Sequence, residues 1–387
     1  MKLFRQDVQG RSHSSVETVV QGNTQFAFAL YQKFRAEKGN LFFSPYSIST
    51  ALAMTYAGAR GNTAVQMAQA LHFLLEQEQL HPAFASLEDR LSNIGRKGQI
   101  QLKVANALWP QVGYPFLEEF LALTKQYYGV LITAVDYADT ETARGIINAW
   151  VEEKTEKKIQ ELIPPRILDA WTRLVLVNAV YFKGNWASQF NQGRTSDAPF
   201  WVTPDESVQV PMMTQEHEFR YGESDGLQIL ELPYAGDDLS MVVLLPREID
   251  GLAKLEGSLT VENLGIWTRN LWKAEVRVFL PRFEITFPFR LDDTLKSMGM
   301  VDAFGDNADF SGMDGRKWLY IAAVLHKAFV AVNEEGTEAA AATAVVMKGR
   351  SLTPPPPVFR ADHPFVFLIR ENGTGSILFL GRVVNPV

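Results

Sequence analysis

The chain has 387 residues, 47 % of them apolar and including 25 Phe and 8 Trp, so it can build a sizeable core and does not resemble a disordered segment. Its 37 basic and 44 acidic residues leave a formal charge of −7, which argues against nucleic acid or an anionic membrane as a partner. With no cysteine, disulfides and thiolate metal sites are excluded.

The first residues, MKLFRQDVQGRSHSSVE, are polar with mixed charge and contain no apolar run of signal-peptide length. No stretch approaches the roughly 20 apolar residues of a membrane span, so a soluble protein is expected, extracellular if a leader has been removed and cytoplasmic if the chain is complete.

Helical patterning dominates the first third. Asn23 is suited to cap a helix over 24–35, where Phe26, Leu30 and Phe34 recur four apart. Residues 45–73 predict two helices broken at Gly58–Gly61, the first apolar nearly all round and therefore buried. PAFASLEDRLSNI (82–94) reads as an amphipathic helix opening on a proline, and NAWVEEKTEKKIQELI (148–163) as another, ended by Pro164 and Pro165. The second half turns to strands. LSMVVLLP (239–246) is a short buried run, and in AEVRVFLPRFEITFPF (274–289) two alternating stretches flank Pro281. FVFLIR (365–370) and SILFLGRVV (376–384) predict a terminal hairpin around ENGTG. No linker divides the chain and no repeat is visible, so helices first and strands later predict one α+β domain over 1–387.

The usual catalytic signatures are missing. G-x-S-x-G, H-E-x-x-H and the P-loop do not occur, and the six histidines are not at metal-ligand spacing. No enzyme, no metal and no cofactor are therefore expected.

The stretch EEGTEAAAATAVVMKGRSLTPPPP (334–357) carries the information. If 337–349 is extended, the odd positions read Thr337, Ala339, Ala341, Thr343, Val345, Met347 and Gly349, none charged, while Glu338 and Lys348 fall on the even face. A fixed edge strand or an alanine-nucleated helix is the plain reading. Small alanines are poor material for a permanent strand, however, and suit a segment that slips between neighbours already in place. The four prolines prevent pairing and hold the residues after them extended.

At this point the residues resemble a known family. FFSPYSIST (42–50), LVNAVYFKGNWASQF (176–190), VNEEGTEAAAATA (332–344) and DHPFVFLIRENGTGSILFLGRVVNP (362–386) are similar, in this order, to four signatures of the serpins, the serine protease inhibitors, of the inhibitory type. The resemblance implies an α+β fold with three β-sheets, of which the large central one is sheet A, eight to nine helices, and an exposed reactive-centre loop. It assigns 334–357 to the hinge and that loop. Counted as in the family, Glu334 is the seventeenth residue before the cleaved bond, which places Arg350 before that bond and Ser351 after it. Lys348 is the alternative bait.

The resemblance further implies a hinge of Glu334, Glu335, Gly336, Thr337, Glu338, Ala339, Ala340, Ala341 and Ala342. It implies a hydrogen-bonded cluster beneath the sheet centre, the shutter, from Ser44, Ser47, Asn178 and His326. A third group, Trp186, Arg282 and Glu334, marks the breach where insertion begins, with Arg282 in place of the family's expected lysine. The implied partner is a trypsin-like serine protease held in a covalent complex with a monomeric inhibitor. The alternative is the same fold used as a carrier, chaperone or storage protein, which bulky, charged or proline residues in the hinge would favour. The helix matching the family's glycosaminoglycan site carries one Arg and two acids in PAFASLEDRLSNI, so heparin is not an expected partner.

Overall fold

The computed structural model describes residues 2–96, 100–130, 132–337 and 355–387, with side chains from residue 14 onward. The chain opens on one long helix, α1 (Lys2–Phe34), followed by β1 (Leu41–Phe43) and α2 (Pro45–Tyr56), whose twelve residues are all buried. Asn23 is not a cap. It lies inside α1, buried, and accepts a hydrogen bond from Ser49 Oγ of α2 at 2.7 Å, so helix packing uses the side chain that local chemistry assigned to a terminus.

α3 (Gly61–Ala70) comes after the break expected at Gly58–Gly61. α4 (Gln77–Arg96) begins five residues before Pro82, its Gln77 side chain fastened to Tyr56 O at 2.8 Å; the proline forfeits only the bond to Glu78, in the first turn. After β2 (Ile100–Pro110) and α5 (Glu118–Tyr128) comes α6 (Thr140–Lys154), not the expected 148–163. Asp139 caps it early by accepting from Thr142 N at 3.1 Å. Asn148 then clamps Ile163 through both backbone groups, at 2.9 and 3.0 Å, folding 155–163 back and burying Ile159, Leu162 and Ile163.

The strand-rich half holds β3 (Leu174–Asn185), β4 (Ser196–Thr203), β5 (Glu206–Ser224), β6 (Leu227–Pro233), β7 (Leu239–Pro246), the helices α7 (Leu252–Gly257) and α8 (Val261–Arg269), β8 (Trp272–Pro281) and β9 (Phe283–Arg290). It ends with α9 (Asp292–Ser297), α10 (Ser311–Asp314), β10 (Ala323–Val332), β11 (Gly336–Thr337), β12 (Val358–Arg360), β13 (Phe365–Glu371) and β14 (Ile377–Val383). The buried run at β7, the two alternating stretches at β8 and β9 and the terminal hairpin lie where the sequence predicts them.

Among the described residues the strands form two hydrogen-bonded networks. One runs β1-β14-β13-β7-β6-β5-β8-β12, with β4 on the early part of β5; the other runs β2-β3-β11-β10-β9. Long β5 explains why what could be separate sheets are continuous: it pairs with β4 at its start, with β8 through its middle and with β6 at its end. In the smaller network the two faces of β3 meet different surroundings. Even-numbered β3 residues such as Leu176, Val180 and Phe182 face the main core, whereas Val175, Val177, Ala179 and Tyr181 pack with Ile147 and Val151 of α6.

Candidate functional site

The seam between β3 and β10 has two different regions. From Val175 opposite Ala323 to Tyr181 opposite Phe329 the strands pair directly and in parallel. Above that level they part, and β11 enters between them, antiparallel to both: Gly336 lies opposite Asn185, and Thr337 opposite Gly184 on one side and Val332 on the other.

Gly336 is fixed by space as well as by its φ of +151°. A Cβ there would sit 2.1 Å from Gly184 O, so only glycine allows this approach to the β3 backbone. Thr337 is buried and its Oγ1 is 3.0 Å from Tyr234 Oη; Tyr234 stacks on Trp186 with ring centres 4.7 Å apart. Main-chain bonds set the entry. Trp186 N donates to Glu335 O at 2.9 Å, Phe190 N to Glu334 O at 2.8 Å, and the indole of Trp186 to Asn333 O at 3.0 Å.

Glu334 anchors the entry electrostatically. Its carboxylate is 2 % exposed and accepts from Arg282 Nε at 2.8 Å, from Arg282 Nη2 at 2.5 Å and from the Thr195 hydroxyl, while Arg282 keeps 43 % of its side chain in water. Burial pushes the carboxyl up, but the hydrogen bonds from Arg282 and Thr195 together with the guanidinium charge hold it below its ordinary range. Glu335 accepts from Gln192 at 3.3 Å, and its second oxygen, Oε2, is buried without a partner among the described residues.

Below the wedge, one row of polar side chains crosses three strands. Asn106 of β2 is opposite Asn178 of β3, which is opposite His326 of β10. The backbone N–H of Ser44 donates to His326 Nε2 at 3.1 Å, so the neutral ring carries its proton on Nδ1 and donates it to the Asn178 side-chain oxygen. The Asn178 amide donates to Ser47 Oγ at 2.5 Å and to the Asn106 side-chain oxygen. Ser44 Oγ caps α2 by accepting from Ser47 N at 3.1 Å and donates to Leu378 O of β14 at 2.6 Å, tying the row to the helix and to the other sheet. Burial lowers the pKa of His326 to about 3, against a smaller opposing contribution from the Asn178 backbone.

The four residues expected beneath the sheet centre therefore lie together, as do Trp186, Arg282 and Glu334 at its upper end. Glu338 to Ala342, Lys348, Arg350 and Ser351 lie outside the described residues. Sequence reasoning missed Asn106, Thr195, Asn333 and Tyr234. A lone Asn within the apolar run VANALWP is the one available signal for Asn106; the other three gain their roles from distant partners. Among the described residues no group of three or more His, Cys, Asp or Glu could hold a metal ion.

Comparison with known proteins agrees with this geometry. Residues 21–386 match the family described as Serpin (serine protease inhibitor). Human Serpin B3 is 44 % identical over 390 residues, covering 96 % of this chain and all of the relative. The human leukocyte elastase inhibitor is 45 % identical over 384 residues with the same coverage. Among solved structures, Serpin48 of the insect Tenebrio molitor superposes with a TM-score of 0.86 at 36 % identity, covering 95 % of this chain and 98 % of that one.

Proposed function

The chain belongs to the serpin family of serine protease inhibitors, and from that premise we propose that it is an irreversible, suicide-type inhibitor of trypsin-like proteases, cut at Arg350–Ser351. The protease serine attacks the Arg350 carbonyl, the Arg350–Ser351 bond breaks, and the new amine of Ser351 leaves with the serine's proton. The ester that remains is the trapped species. Arg350 selects the target, because a guanidinium pairs in bidentate fashion with an acid at the base of a trypsin-like specificity pocket. A relative named for leukocyte elastase is 45 % identical over 384 residues, and Arg350 is what directs this proposal to trypsin-like proteases instead.

The wedge of β11 between parallel β3 and β10 carries the reading. The freed arm can continue as a strand from this start, since Thr337 already faces both neighbours. Each step along the arm is one step back along β3, so 347 comes level with Leu174, the first residue of β3. The odd positions then face the main core, where Thr337 is already buried and where the arm carries no charge. Ala340, Ala342 and Ala344 come level with Tyr181, Ala179 and Val177, beneath α6, where larger side chains would meet Ile147 and Val151. Glu338 falls near Lys183 and Lys348 beyond the end of β3, so both charges escape the covered length. The even face is thus mostly covered by α6, a stricter demand for small residues than one open to water.

The test is incubation with trypsin, followed by denaturing electrophoresis and mass spectrometry of the released peptide. An SDS-resistant complex and a peptide beginning at Ser351 are expected; cleavage without a complex would favour the carrier alternative. Arg350→Ala abolishes trypsin inhibition on this reading, and inhibition that persists would identify Lys348 as the bait.

A further inference from the structure

Two hydrogen-bond donors are left over on one face of the larger strand network. Ser240 of β7 is fully buried, and neither its Oγ nor the buried Nε of Arg370 in β13 has a partner among the described residues. The two residues are directly opposite in the β7–β13 register, which sets their Cβ atoms about 5 Å apart. Pro233 of β6 is opposite Ser240 on the other side, on the same face. Buried polar groups are ordinarily paired, so two adjacent donors without acceptors call for an acceptor that these residues do not supply.

The charges around them point the same way. Glu231, two residues before Pro233, is buried, and its Oε2 serves two guanidinium groups, Arg370 Nη2 at 3.2 Å and Arg220 Nη1 at 3.5 Å. One carboxylate cannot balance both, so a positive charge remains. Lys273, across from Arg220 in the β5–β8 register, pairs with Glu218 at 3.4 Å and adds no net charge. Burial pulls Arg370 below the ordinary arginine range, Glu231 opposes that pull and Arg220 adds to it. A cavity of about 310 Å³ opens at this place, lined by Ser240, Glu231, Arg220 and Lys273, with Phe219 and Pro233 as apolar wall. Glu218 and Asp237 line it too, and Asp237 is exposed, where water and salt screen its charge.

We infer that this cavity is a binding site for a small monocarboxylate with an apolar body. One carboxylate oxygen accepts from the Ser240 hydroxyl and from Arg370 Nε–H, the ligand's charge balances the second guanidinium, and its body lies against Phe219 and Pro233. A single charge suits the site better than the double charge of a phosphate, because Glu218 and Asp237 share the cavity. Neither the arm nor the bait takes part, so the site is independent of the proposed function.

The experiment titrates the full chain with benzoate and with benzamide, its uncharged counterpart, in a calorimeter. Benzoate is expected to saturate one site with an affinity at least about ten-fold above that of benzamide. Ser240→Ala removes one hydrogen bond and should weaken benzoate about five-fold. Glu231→Gln removes the competing anion and should strengthen benzoate at least about three-fold, a direction that damage to the fold does not produce. Equal affinities for benzoate and benzamide overturn the inference, since the cavity is then an apolar slot only. So does a Ser240→Ala affinity within about two-fold of wild type, or a Glu231→Gln affinity no higher than wild type. Wild-type protein that shows no saturation up to about 10 mM benzoate also overturns it, the cavity then holding water only.

Discussion

The two ends of the paired seam solve opposite problems with different chemistry. At its upper end β3 and β10 are parted, and the contacts are main-chain bonds, a glycine with no room for a Cβ and an ion pair whose arginine is half in water. At mid-sheet the strands touch, and the contacts are neutral, buried and fully specified down to the tautomer of His326. The first arrangement keeps a strand started, and the second keeps it from continuing. On the proposed mechanism the barrier has an address in this molecule: an arm advancing between β3 and β10 must part Asn178 from His326, while Asn106 stays with Asn178 on the β2 side.

The comparison can be broken most decisively at Thr337. Thr337→Arg places a charge where the side chain is buried against Tyr234, a cost of several kcal/mol without a partner. Such a variant is expected to be cleaved by trypsin as a plain substrate, and an undiminished yield of SDS-resistant complex would show that entry is not limited there. At mid-sheet, Asn178→Ala strands the His326 Nδ1–H and leaves the Ser47 hydroxyl only its 3.3 Å bond to Asn106, and about 2–4 kcal/mol should be lost in urea unfolding of the intact protein. If the loss is under about 0.5 kcal/mol, the row is not the barrier.

The contrast sharpens with pH. Above pH 6.5 His326 is neutral folded and unfolded; between 6.5 and about 3 only the unfolded chain takes the proton, so stability falls as the pH falls. By pH 5 this amounts to about 2 kcal/mol from His326 alone, and His326→Gln should flatten that part of the profile. Glu334 works at lower pH: its depressed pKa gives stability that is present above its unfolded value and is lost as the pH drops through the folded one. The smallest effect belongs to Tyr234→Phe, which removes one hydrogen bond to Thr337 and should cost about 1 kcal/mol, read as a small shift in the urea midpoint.

Much of this was legible in the residues where the reason is local. The all-round apolar α2, the alternation in β8 and β9, and the hairpin of β13 and β14 stem from periodicity. What was not legible depends on partners far along the chain. The end of α6 is decided by Asn148 reaching Ile163, a clamp that no helix propensity encodes. Asn23 has the chemistry of a cap and is recruited by Ser49 instead. Asn106 and Tyr234 join the site only because strand register sets them against Asn178 and Thr337.

Gly336 has a further consequence for anyone wishing to redirect this protein. The bonds described for the arm at 333–336 run largely through backbone atoms, together with the Glu334 carboxylate. If residue 350 is the bait, as proposed, exchanging it leaves this pivot untouched, whereas a single methyl group added at 336 would jam it whatever the bait.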